Sequence, residues 1–133
     1  MAKHTVADYT VVNNGAFLLS QDVDSDGTIR RTKDFNLKLP DNLVLGEDKA
    51  QLILQFEVQP EERSGLEIYM NNRRLSREPY NASNTRMVQV IFPFSRAVPE
   101  RCIKPNYPLQ FKIDGGRMYV KDVVLWYQLH IND

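Results

Sequence analysis

Several residue types are scarce in this 133-residue chain, and each scarcity closes off a class of function. Cys102 is the only cysteine, so no internal disulfide forms, and without a nucleophile signature around it the side chain reads as a small apolar group. The two histidines, His4 and His130, sit near opposite ends and form no His-Glu-x-x-His motif. No Gly-x-Ser-x-Gly elbow and no glycine-rich phosphate loop occurs, so the expectation is a protein that is not an enzyme. Charge of one sign is missing too: 17 basic residues balance 17 acidic ones. A nucleic-acid binder draws most of its affinity from phosphate contacts, so this balance excludes nucleic acid as the expected partner. The local basic groups, Arg30, Arg31 and Lys33, then Arg73, Arg74 and Arg77, read as solvated loops and strand edges. Long hydrophobic runs are also absent. No segment has the length to span a bilayer, and the start MAKHTVADYT lacks the apolar stretch of a signal peptide. No membrane partner and a cytoplasmic location are the default expectations.

What remains is the composition of an ordinary folded protein, 42% hydrophobic and 26% charged. A chain near this length buries enough surface to fold without staples, and one domain over residues 1–133 is expected. Its dominant period is two. From Ala50 to Gln59, Leu52, Leu54, Phe56 and Val58 alternate with Gln51, Ile53, Gln55, Glu57 and Gln59. Successive side chains of a strand point to opposite faces, so one face is apolar and the other largely wet. Leu66, Ile68 and Met70 repeat the pattern, as do Leu109, Phe111 and Ile113; Met87–Phe92 reads as another strand, stopped by Pro93. No window of helical length shows helical periodicity. The expected core is Leu52, Leu54, Phe56, Val58, Leu66, Ile68, Met70, Val88, Val90, Leu109, Phe111, Ile113, Leu125 and Tyr127.

Turn chemistry punctuates these runs. Asn14-Gly15 and Asp26-Gly27 suit tight hairpins because both dipeptides accept the positive φ such turns need. Asn71-Asn72 is expected to reverse the strand at 66–70, and Gly115-Gly116 to join the strand at 108–114 to a last segment, Arg117–Ile131. That segment exceeds a usual strand, which predicts a bulge near Lys121-Asp122. Four prolines between Pro93 and Pro108 mark a long loop with room for one helical turn at Pro99–Ile103. About eight short strands between such turns predict an all-β fold: two antiparallel sheets packed face to face as a jelly-roll-like β-sandwich.

The second half resembles the galactose-binding-like jelly roll of carbohydrate-binding modules. The resemblance rests on the strand and hairpin Leu66-Glu67-Ile68-Tyr69-Met70-Asn71-Asn72-Arg73-Arg74-Leu75 and on Val88–Phe92. It continues through Asn106-Tyr107-Pro108-Leu109-Gln110-Phe111-Lys112-Ile113 and closes with Val120-Lys121-Asp122-Val123-Val124-Leu125-Trp126-Tyr127. It spans about half the chain. What it implies is a non-catalytic module that takes a carbohydrate on a sheet face or on end loops. The alternative reading is a structural or protein-interaction domain, a building block of a larger assembly.

Two groups of residues are candidates for binding chemistry. In Asp22-Val23-Asp24-Ser25-Asp26-Gly27-Thr28-Ile29, oxygen ligands at the first, third and fifth places precede a glycine and an aliphatic, as in an EF-hand calcium loop. The twelfth place, which wants an acid, is Lys33, and a polar hairpin turn around Asp26-Gly27 explains the same residues. The second group lies on the last strand. With the register kept past the bulge, Val123, Leu125, Tyr127, Leu129 and Ile131 face the core, and Asp122, Val124, Trp126, Gln128 and His130 share the other face. A ring beside short hydrogen-bonding groups suits a sugar: the ring covers C–H faces while amides and carboxylates take hydroxyls. Gln55, Glu57, Tyr69 and Gln110 lie on the outer faces of their strands and are expected to join this platform. The competing assignment tucks Trp126 under the proline-rich loop as packing.

Overall fold

The computed structural model describes residues 3–44, 51–82, 85–97 and 106–132. Eight strands carry the fold: β1 (Lys3–Ser20), β2 (Thr32–Leu37), β3 (Gln51–Pro60), β4 (Ser64–Met70), β5 (Arg73–Tyr80), β6 (Arg86–Pro93), β7 (Tyr107–Asp114) and β8 (Arg117–Asn132). They form two four-stranded antiparallel sheets, ordered β1-β8-β3-β6 and β2-β7-β4-β5. Only the β4–β5 connection joins neighbours in one sheet; every other connection crosses between sheets, the winding of an eight-stranded jelly roll. Among the described residues the one helix is a single turn, α1 (Phe94–Ala97). The helical turn expected at Pro99–Ile103 falls outside the described residues, as does Cys102.

The alternation read from sequence is the burial pattern of the sandwich. Leu52, Leu54, Phe56 and Val58 of β3 meet Leu66, Ile68 and Met70 of β4 and Leu109, Phe111 and Ile113 of β7 in one apolar cluster. Phe111 is fully buried at its centre, edge-on to Phe17, Phe35 and Phe56 with centroids 5.5, 6.1 and 5.4 Å away. Each large side chain so buried contributes about 1.5–3 kcal/mol through the removal of apolar surface from water. Val88 is half-buried rather than core; it lies near the Arg86 end of the edge strand β6, whose Val90 and Phe92 are buried. Ile131 is exposed rather than core-facing.

Turns account for two further outcomes. Asn71 and Asn72 both take positive φ (53° and 63°) between β4 and β5, the conformation of the tightest hairpin turns, as the dipeptide predicts. Asn14-Gly15, however, is no hairpin. It lies inside the 18-residue β1, where the register against β8 shifts between Val11 and Asn13 and again between Asn13 and Ala16. Gly15 has φ of 102° there, so the dipeptide serves a bulge, which needs positive φ as much as a turn does. Asp26-Gly27 does turn the chain, within a loop tied by Gly27 N to Asp24 O and Asp24 N to Thr28 O, both 2.9 Å.

The bulge predicted near Lys121-Asp122 is present, and it decides which way the end of β8 faces. Met118 and Val120 point into the core, and so do Val123, Leu125 and Tyr127; the parity changes between them. Asp122, at φ 53°, is the inserted residue, and its Oδ1 accepts the Gly15 amide at 3.0 Å, locking the irregularities of β1 and β8 together. An unbroken strand counted from Met118 would turn residue 126 inward, since a one-residue slip moves every later side chain to the other face. The bulge therefore puts Trp126 outside.

Candidate binding face

The outer face of the β1-β8-β3-β6 sheet carries a row that crosses all four strands. Tyr9 of β1 pairs with Trp126 of β8, Trp126 with Ile53 of β3, and Ile53 with Ile91 of β6. The Tyr9 and Trp126 rings lie 5.0 Å apart at 44°, and the two residues remain 51% and 36% exposed. Trp126 is thus displayed rather than tucked under a loop. Below it, Tyr127 turns into the core and shares a 2.8 Å hydrogen bond between its hydroxyl and Thr10 Oγ1, which anchors the strand beneath the rings.

Polar groups border this row. On one side, Ala7, Gln51, Ile53, Trp126, Tyr127 and Gln128 line a cleft of about 240 Å³, so two amide side chains stand beside the indole. On the other side Val11, Val124, Gln55 and Gln89 form the next row, with Gln89 Nε2 donating to Gln55 Oε1 at 3.2 Å. Glu57 follows, paired in register with Met87 and Lys121. Uncharged amides and an aromatic pair therefore occupy the middle of the face, with charge only at its far end.

Of the residues expected to form one platform, Trp126, Gln128, Gln55 and Glu57 do share this face. Tyr69 and Gln110 do not: β4 and β7 belong to the other sheet, so both lie on the opposite side of the sandwich. That second face also carries the Glu67–Arg74 and Arg77–Asp114 ion pairs (3.8 and 2.9 Å) and Gln110 Nε2 donating to Asp34 Oδ1 at 2.9 Å. Asp122 leaves the platform because its carboxylate is committed to Gly15. Tyr9 was not anticipated. It sits 117 residues from Trp126, and only the strand register brings the two rings together.

The acidic loop between β1 and β2 takes a different form from a calcium site. Asp22, Asp24 and Asp26 border one polar depression together with Glu62 and Arg117. Yet Asp24 is held by Arg30 Nη1 at 3.0 Å, with Arg117 Nη1 at 3.9 Å. Asp26 Oδ1 accepts the Thr28 amide at 2.9 Å, and its hydrogen bonds to Thr28, side chain first and then backbone, hold its carboxyl below the usual value. Among the described residues no three acidic, histidine or cysteine groups converge as metal ligands. Two guanidinium groups stand where a cation would need open carboxylates, so the residues do not fit calcium. The arrangement is an arginine-stapled turn.

Comparison with known proteins adds the fold's setting. No family model matches the chain, and no curated protein sequence matches it. Solved structures do share its shape. BuGH86 in complex with neoagarooctaose superposes over 99% of this chain at a TM-score of 0.62 and 13% identity, and the match spans 20% of that chain. Dimeric latent PorU from Porphyromonas gingivalis superposes over 94% of this chain at a TM-score of 0.61 and 11% identity, spanning 13% of that chain. The chain thus matches only a domain-sized portion of each of these longer chains, and at such identity the likeness is one of fold. Among the described residues no helix is long and apolar enough to cross a membrane.

Proposed function

We propose that this chain is a non-catalytic binding module that takes a carbohydrate on the outer face of the β1-β8-β3-β6 sheet. The observation that carries the reading is the exposed Tyr9–Trp126 pair beside a cleft flanked by Gln51 and Gln128. A sugar presents C–H faces that cover an aromatic ring and hydroxyls that need short hydrogen-bonding groups, and this face offers both at once. Gln55, one strand away, extends the polar lining. The galactose-binding-like resemblance and the fold shared with BuGH86, solved with an oligosaccharide, support the same class of ligand.

A second reading, a protein-docking building block of a larger assembly, draws on the exposed aliphatics of the edge strand β6. Ile91 and Met87, on either side of Gln89 on its outer face, are each 55% exposed. Large apolar groups exposed on one surface mark interaction sites. A glycan array probed with the 133-residue chain and with Tyr9→Ala and Trp126→Ala separates the two. Saturable binding lost in both variants supports the module; a chain that ignores every glycan leaves the docking domain.

A further inference from the structure

The four edge strands are not protected alike. An edge strand presents every second residue's N–H and C=O outward, and proteins blunt such edges with charge, proline or bulges. β5 carries Arg73, Arg74, Arg77, Glu78 and Pro79, and β2 carries Lys33 and Asp34. On β1 the Asp8 carboxylate takes the Tyr9 amide at 2.8 Å, and the bulge follows. β6 carries a charge and a proline only at its two ends, Arg86 and Pro93; between them the segment reads Met-Val-Gln-Val-Ile-Phe, without charge, proline or glycine. Among the described residues it pairs with β3 alone. A six-residue apolar edge of this kind aggregates unless something covers it.

We propose that a second copy of this chain covers it, β6 pairing antiparallel with β6 across a two-fold axis at Gln89. The sequence is self-complementary about that residue, as an isologous contact requires. Met87, exposed on the outer face, comes opposite Ile91 of the second copy, and Ile91 opposite Met87; Val88 comes opposite Val90. Arg86 falls opposite Phe92, so no two like charges meet. Gln89, which already reaches sideways to Gln55, meets Gln89. The pairing makes one eight-stranded sheet in which the row Tyr9, Trp126, Ile53 and Ile91 of each copy ends on Met87 of the other, leaving Tyr9 and Trp126 toward the outer edges of the sheet. The aliphatic half of the face is thereby assigned to assembly, and the aromatic half stays open for ligand. Failure of one assignment leaves the other standing, since β6 and β8 are separated by β3.

Light scattering on the eluting 133-residue chain tests this. At about 100 µM, where a specific dimer is populated by mass action, the expected mass is twice the 15.4 kDa of one chain. Gln89→Lys sets two ammonium groups side by side at the axis and is expected to halve the mass while the far-ultraviolet strand spectrum is kept. In a Cys102→Ala background, Gln89→Cys is expected to oxidise to a covalent dimer, and Val11→Cys, on the β1 edge, to stay single. A wild-type chain that elutes at 15.4 kDa at this concentration overturns the proposal. So does a Gln89→Lys dimer, or cross-linking by Val11→Cys without Gln89→Cys. Should Gln89→Lys not fold, the cysteine pair decides.

Discussion

Adding one methyl group at Gly115 or at Gly116 separates backbone strain from steric collision. Both residues join β7 to β8 at positive φ, 84° and 76°. A Cβ on Gly115 meets nothing within 4 Å, whereas a Cβ on Gly116 collides with the Arg63 carbonyl oxygen and lies 2.7 Å from Ser64 Cβ. The left-handed backbone alone costs a non-glycine residue about 1–2 kcal/mol. The collision is with backbone, which cannot swing aside, and forced overpacking adds about 1–3 kcal/mol. Gly115→Ala is therefore expected to cost about 1.5 kcal/mol and Gly116→Ala about 3.5 kcal/mol. For a domain of this length that is a fall in melting temperature of about 6 °C for the first and about 14 °C for the second. Differential scanning calorimetry of the two variants beside wild type reads both values. Equal losses would refute the reasoning, because they would mean the Arg63–Ser64 backbone does not press on the turn.

Three other outcomes follow from the packing and the charges. Ser64→Ala is expected to stabilise the fold by roughly 1 kcal/mol in denaturant titration, since the buried Ser64 Oγ has no hydrogen-bond partner among the described residues; a loss of that size instead would show that the hydroxyl is satisfied. Tyr80 is pushed up to about 12, chiefly by burial, with Glu78 adding and Arg86 opposing. Above the ordinary value of 10.0 the unfolded chain loses this proton first, so stability falls as pH rises from there toward about 12, and Tyr80→Phe removes that part of the decline; a variant with the same alkaline profile as wild type would reverse the assignment. Melting curves in millimolar calcium and in excess chelator are expected to coincide, because Arg30 and Arg117 already engage Asp24; a rise with calcium would show the staple yielding to the ion.

Local periodicity made β3, β4 and β7 legible, because a half-buried strand writes its two faces directly into alternate residues. The bulge at Asp122 was legible from length alone, as was the reversal at Asn71-Asn72. Asn14-Gly15 was not: a turn and a bulge both ask for positive φ, and what chose between them was pairing with β8 more than a hundred residues away. The same limit governs the site. Period two shows that Trp126, Gln55 and Tyr69 each face outward from a strand, but not which sheet each strand joins. Tyr69 was therefore grouped with a face it does not share, and Tyr9, the β1 residue that pairs with Trp126 there, was missed. Ile53, read within a polar run, turned out to continue the exposed apolar row.

Trp126 is the only tryptophan in the chain, so its fluorescence reports on the proposed site without interference. The most direct test is an emission titration with the neutral oligosaccharides that score highest on the array, in wild type and in Tyr9→Ala. The account predicts a saturable change in intensity or wavelength, weakened about tenfold or more when Tyr9 is removed, the cost of truncating one aromatic anchor at a binding centre. Binding that leaves the Trp126 emission untouched, or that survives Tyr9→Ala at full affinity, would contradict it.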